Sequence, residues 1–282
     1  MYNFNLTKIT ILKISALILF FFFGMTNAVK SQVIQWSTYL NTTGTDNLSG
    51  MLKDNAGDIY ILGSTNANGY PVTAGAFQTT LTGTTTKLII SKLSGDNGSL
   101  IWSTYLGGDN DNITALKFYW DAVSNTINVA AITISNNYPV VNGNPRLPGS
   151  NHSSVFSQLN AATGTVLFST FVFTELPLDV YGGGPLDVKI EIADGFAYYL
   201  SMDPSYKKIL ISKINLVTHQ FAYQNSIPGG NGIFNHAIGM YSILFRIDTG
   251  EIFLSGATSS SNYSTTAGSY QPFYPAGANE AF

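Results

Sequence analysis

The chain has 282 residues, 45% hydrophobic, 13% aromatic and only 10% charged, with 13 basic and 16 acidic side chains and no cysteine. This balance excludes a disulfide-built fold, a cysteine-linked lipid anchor and the basic stripe that nucleic-acid binding needs. It also has too much apolar content for a disordered chain, so stability must come from a buried core, which this length can build.

Lys8 and Lys13 precede an apolar run from Ile14 to Phe23, followed by small and polar residues. That order predicts a signal peptide over residues 1–31, cleaved between Ala28 and Ser31. The apolar part is about 12 residues long, short of the ~20 a membrane-spanning helix needs. Residues 1–31 hold three of the basic residues and none of the acidic ones, which leaves ten against 16 and a net −6 from Gln32 onward. The expected location is extracellular or at the cell surface, with no transmembrane segment after cleavage.

From Gln32 the chain repeats. Trp36-Ser37-Thr38-Tyr39-Leu40 recurs as Trp102-Ser103-Thr104-Tyr105-Leu106 and as Phe168-Ser169-Thr170-Phe171-Val172, spaced by 66 residues each time, with a degenerate copy 55 residues later from Tyr223. Between these markers, Asp58 to Thr65 matches Glu251 to Thr258, and Lys87 to Leu93 matches Lys208 to Ile214. Tyr70-Pro71-Val72-Thr73-Ala74-Gly75-Ala76-Phe77-Gln78 returns from Tyr263 to Gln271, is reduced to Tyr138-Pro139-Val140 in the second unit, and is missing from the third.

Each unit is predicted to form four strands, in the first near Leu48 to Lys53, Asp58 to Gly63, Lys87 to Leu93 and Leu100 to Leu106. Alternation is plain at Leu186, Val188, Ile190 and Ile192, with Asp187, Lys189 and Glu191 on the other face. A four-stranded antiparallel sheet repeated radially is a propeller blade, and neighbouring blades must cover both of its faces. The expected fold is all-β: an incomplete β-propeller with about three and a half blades over residues 32–282 (roughly 41–106, 107–172, 173–227 and a partial 228–282). Val33 to Leu40 reads as a leading last strand. A ring of roughly six to eight blades would need more chain than this, so the unit ending at Phe282 reads as truncated.

These residues resemble the SBBP repeat, a bacterial β-propeller repeat reading WSTYLGG, an acidic loop, a strand ending in TG or GST, FPTTAGAFQ, and a strand ending in AKL. Phe168 replaces the tryptophan in one unit and another lacks the FPTTAGAFQ part. The resemblance implies an exported bacterial protein and assigns no general activity.

Few residues invite chemistry. Trp36, Trp102, Phe168 and Tyr223 hold equivalent places, as an aromatic ligand platform would require, but one large ring per blade is also what blade packing needs, and packing is preferred. The turns Leu93 to Trp102 and Leu159 to Phe168 are similar to those of quinoprotein propellers, yet Gly and Asn suit such turns whatever is bound. Asp109 and Asp111 alternate in a loop that calcium would accept, with a solvated turn the preferred reading, so no cofactor is expected. His152, His219 and His236 show no zinc spacing, and neither a GxSxG elbow nor a Cys nucleophile is present. Asp194, Asp203 and Glu191 are carboxylates close only in sequence.

The loop tyrosines Tyr70, Tyr138 and Tyr263 are the ligand-binding candidates. They would stack on sugars or peptides if presented on one rim, or else pin a long loop. The function expected is a non-catalytic binding or display scaffold for an extracellular glycan or protein. The alternatives are a quinoprotein-like or glycan-active propeller enzyme and a structural spacer in a large adhesin.

Overall fold

The computed structural model describes residues 34–40, 44–81, 83, 85–109, 113–146, 153–173, 189–202, 208–228, 244–248, 251–255, 257–258, 269 and 280–281. The chain divides into two compact units, Met1–Ser37 and Thr38–Phe282, and the described strands lie in the second. No helix occurs among the described residues.

Three four-stranded sheets follow one another. β1 (Asp46–Lys53), β2 (Ile59–Thr65), β3 (Lys87–Leu93) and β4 (Leu100–Leu106) form the first. β5 (Thr114–Asp121), β6 (Thr126–Thr133), β7 (Ser153–Asn160) and β8 (Val166–Phe173) form the second. β9 (Lys189–Ala193), β10 (Phe196–Met202), β11 (Lys208–Asn215) and β12 (Phe221–Pro228) form the third. All three pair antiparallel in chain order, and their irregularities recur. β1 and β5 shift register at Leu48/Gly50 and Ala115/Lys117, while β3, β7 and β11 shift at Lys92/Leu93, Gln158/Leu159 and Lys213/Ile214. β13 (Leu244–Asp248) pairs with β14 (Glu251–Ser255), and β15 (Ala257–Thr258) with β16 (Glu280–Ala281).

The first strands of successive sheets touch, β1 on β5, β5 on β9 and β9 on β13, so the sheets succeed one another along a line of inner strands. Alternation sends Tyr60, Leu62, Leu88, Ile90, Trp102 and Leu106 of the first sheet into one core with Ile127, Val129, Val155, Leu159 and Phe171 of the second. The opposite side of the second sheet, with Ala130, Ile132, Phe156, Phe168 and Val172, meets Ile190, Ala197, Tyr199, Ile214 and Leu216 from the third. Because both faces are covered, β3 and β6 are buried along their whole length. The architecture is all-β with four-stranded antiparallel blades of the propeller type.

One expectation needs correcting: residues 34–40 belong to no strand. An outer strand exists only by pairing with an inner neighbour, and residues 46–106 already make a complete sheet of their own.

Candidate functional site

The long loops between second and third strands carry the tyrosines for which stacking on a ligand and pinning of the loop were both open. In both described cases the ring is buried, with Tyr70 and Tyr138 each 3% exposed. The proline that follows each tyrosine holds it in an extended conformation. The phenol then reaches the sheet, Tyr70 to Ser91 Oγ at 2.9 Å and Tyr138 to Ser157 Oγ at 2.9 Å. Each serine continues to the next strand, Ser91 to Ser103 and Ser157 to Ser169, both at 2.8 Å. Burial pushes the Tyr70 hydroxyl above its ordinary pKa. Rings from the fourth strand lie against these phenols: Tyr105 is 6.3 Å from Tyr70, and Phe171 is 6.1 Å from Tyr138.

Beyond the tyrosine, each loop runs along the outer edge of its own sheet. Thr73 N–H donates to Ser103 C=O at 3.2 Å, and Tyr105 N–H to Gln78 C=O at 3.1 Å. In the second sheet Val141 and Ser169 exchange both backbone bonds, and Phe171 N–H donates to Asn144 C=O. Gln78 and Asn144 N–H donate to the hydroxyls of Thr104 and Thr170. An open edge strand invites pairing with another chain, and these loops close it. At Tyr70 and Tyr138 the ring packs on the sheet and pins its loop, the second of the two readings. Tyr263 lies outside the described residues.

The aromatic markers join one sheet to the next. Trp102, 5% exposed, donates from Nε1 to the Ala161 C=O at 3.0 Å, and the Tyr60 hydroxyl oxygen lies 3.1 Å from the same oxygen. In the next joint Gln158 Nε2 donates to Leu216 C=O at 3.2 Å. Ala161 and Leu216 begin equivalent turns, each closed by the same pair of backbone bonds, and a matching pair closes the turn at Ser94. The last residue of each turn takes positive φ: Gly98 at 71°, Gly164 at 74° and His219 at 61°. At Gly164 a Cβ would stand 2.6 Å from the Trp102 ring. His219 instead lies flat on Phe168, centroids 4.5 Å apart, with Nε2 2.8 Å from Gln158 Oε1. Burial lowers its pKa. Tyr223, at the equivalent place in the third sheet, is 37% exposed, and Trp36 is half-buried.

Charge is concentrated beside the first joint. Lys92 Nζ lies 3.3 Å from Asp54 and 3.0 Å from Asp58, and Tyr60 donates to Asp54 at 3.0 Å. Burial alone would raise the Asp54 carboxyl, but Tyr60, Lys92 and the Asp58 N–H outweigh it and hold the pKa below the ordinary value. Burial likewise opposes the Lys92 charge, and Tyr60, Asp58 and Asp54 around it outweigh that, so the ammonium is held above the usual lysine value. From β3, Lys92 thus ties down the turn between β1 and β2 through both of its carboxylates.

The other described candidates do not converge. Asp109 is tied to Asn137 through its N–H and its carboxylate, and its C=O accepts from Ser135, while Asp111 lies outside the described residues. Asp194 occupies a turn with φ 51°, and Glu191 faces Lys117 at 3.7 Å. Asp203, His152 and His236 are not described. No group of three His, Asp or Glu side chains able to hold a metal ion occurs among the described residues, and no described helix is long and apolar enough to cross a membrane. Sequence reading passed over the serines Ser91, Ser157 and Ser212, although their recurrence at one place in the third strand was visible.

No curated protein matches the chain. Among solved structures, quinohemoprotein alcohol dehydrogenase ADHIIG from Pseudomonas putida HK5 is 12% identical over 74% of this chain, with TM-score 0.36. The exo-beta-1,3-galactanase 1,3Gal43A from Clostridium thermocellum is 12% identical over 74% with TM-score 0.33, and the polysaccharide lyase Uly1 is 12% identical over 77% with TM-score 0.36. The match spans 36%, 41% and 43% of those three proteins, and superpositions this loose say nothing of substrate. Residues 35–71 match the family model described as SBBP, a beta-propeller repeat.

Proposed function

We propose that this chain is a non-catalytic binding or display scaffold, exported to the cell surface, whose ligand is a glycan or another protein. The observation that carries the reading is the use made of the polar and ionisable side chains. Asp54, Asp58, Lys92, Tyr60, Gln158 and His219 are all engaged in holding turns and joints, so the chain invests its few such groups in a stiff frame. A stiff frame presents its surface loops in fixed relation, as recognition requires. The leader-like residues 1–31 and the weakly charged, Ser/Thr/Asn-rich remainder suit an exported surface module.

The test is a glycan array together with capture from defined cell-surface fractions, using the whole chain. Saturable, competable binding to one class is expected. Two empty screens, or turnover of a polysaccharide or a quinone-dependent oxidation by the chain, would overturn the reading.

A further inference from the structure

In the first two sheets the outer edge is closed by the chain's own loop, through residues 73–78 on β4 and residues 141–144 on β8. In the third sheet the connection between second and third strands is far shorter. β10 ends at Met202 and β11 begins at Lys208, so the five residues 203–207 join them. At about 3.4 Å per residue, five residues can turn the hairpin but cannot pass β11, run along β12 and return.

Three features of β12 mark what is missing. By register Gln224 stands where Ser103 and Ser169 stand, each opposite the recurring serine of the third strand. Ser103 and Ser169 exchange bonds with Thr73 and Val141, so the Gln224 N–H and C=O face outward. No described residue bonds them, and Ala222 to Asn225 are exposed. Second, Ser212, the counterpart of Ser91 and Ser157, is fully buried and its hydroxyl has no hydrogen-bond partner. Third, Ser226 takes the place of the Tyr105 and Phe171 rings against which the loop phenols rest.

We infer that β12 is a docking edge for an extended segment of another polypeptide led by Tyr-Pro-Val. The two loops supply the template. In each the tyrosine precedes by three residues the one that pairs with the edge: Tyr70 before Thr73, and Tyr138 before Val141. A docked segment in that register exchanges backbone bonds with Gln224 and sends its phenol towards Ser212. The Gln224 side chain, whose Nε2 donates to Val172 C=O at 3.2 Å, swings outward to admit it. Strand addition of this kind takes affinity from the backbone and specificity from alternate side chains. The inference rests on the scaffold reading and narrows its ligand to a polypeptide.

The experiment titrates the whole chain with a labelled peptide carrying residues 69–79. Saturable binding is expected, with slowed amide exchange at Gln224. N-methylation of the peptide at its Thr73 nitrogen, which leaves the chain untouched, should weaken binding about tenfold or more, and Gln224→Pro should do the same. Tyr70→Phe in the peptide should weaken binding by roughly three- to tenfold on the native chain and not on Ser212→Ala. No saturable binding at millimolar peptide, or binding indifferent to both backbone changes, would overturn the docking edge. Equal affinity of the Tyr and Phe peptides for the native chain would overturn the role given to Ser212. A chain that ignores the peptide yet still binds a glycan or another protein would sink this inference and leave the scaffold reading standing.

Discussion

His219 shows how much one position in a repeat can carry. Its counterparts Gly98 and Gly164 meet a demand for positive φ at no steric cost, and a histidine accepts φ of 61° only because something compensates. The compensation is the flat contact with Phe168 and the bond to Gln158. Burial disfavours the charged imidazole, so the folded pKa lies below the ordinary 6.5 and the unfolded chain binds the proton first. Stability is therefore complete above that value and falls as pH drops from it towards the lowered folded value. His219→Asn keeps a residue tolerant of positive φ, removes the stacked ring, and should cost about 1 kcal/mol at pH 8. Urea midpoints of the two chains at pH 8 and pH 5 check this: the native chain should lose more on acidification. An equal loss in both would mean that the ring titrates without regard to the joint.

At the scale of elements, the first β-hairpin is locked to the third strand by charge. Lys92 and Asp54 expose 11% and 7% of their side chains, and Asp58 shares the ammonium. Removing one member of a buried pair leaves the other uncompensated, so Lys92→Met should destabilise by about 3–5 kcal/mol, read from denaturant unfolding. The Asp54 contribution is present above its unfolded pKa of 3.8 and lost as pH falls through the lower folded value, so acid should narrow the gap between variant and native chain. Little of this was legible beforehand. Strand positions were, because alternation and recurrence are local properties: the expected Lys87 to Leu93 and Leu100 to Leu106 are strands with those bounds. Whether Tyr70 faces water or Ser91 depends on where a loop of some 20 residues folds back, and period-2 patterning says nothing of that. The leading strand at Val33 to Leu40 failed for a related reason, since strand-like composition does not supply a partner.

At the scale of the whole molecule, stacked sheets share stability through their joints, so equivalent residues should differ in weight according to what they touch. Stacked repeats behave as nearest-neighbour systems, each sheet stabilised by its own pairing and by the interface to the next. Trp102 is buried in the joint between first and second sheets and bonded to Ala161, and its removal takes away ring packing and a donor together. Trp102→Ala should cost about 3–5 kcal/mol, whereas Tyr223→Ala, at the same place in the third sheet but 37% exposed, should cost under about 1 kcal/mol. The consequence goes beyond the size of the loss. A chain whose first joint is weakened should unfold in two steps, the first sheet before the second and third, because the core shared by Phe156, Phe168, Tyr199 and Ile214 is untouched. Hydrogen exchange resolved by strand would then show β3 and β4 losing protection ahead of β7 and β11 in Trp102→Ala, and all four together in Tyr223→Ala. A single cooperative loss in both variants would mean that the sheets are held mainly by their line of inner strands, with the aromatic joints secondary.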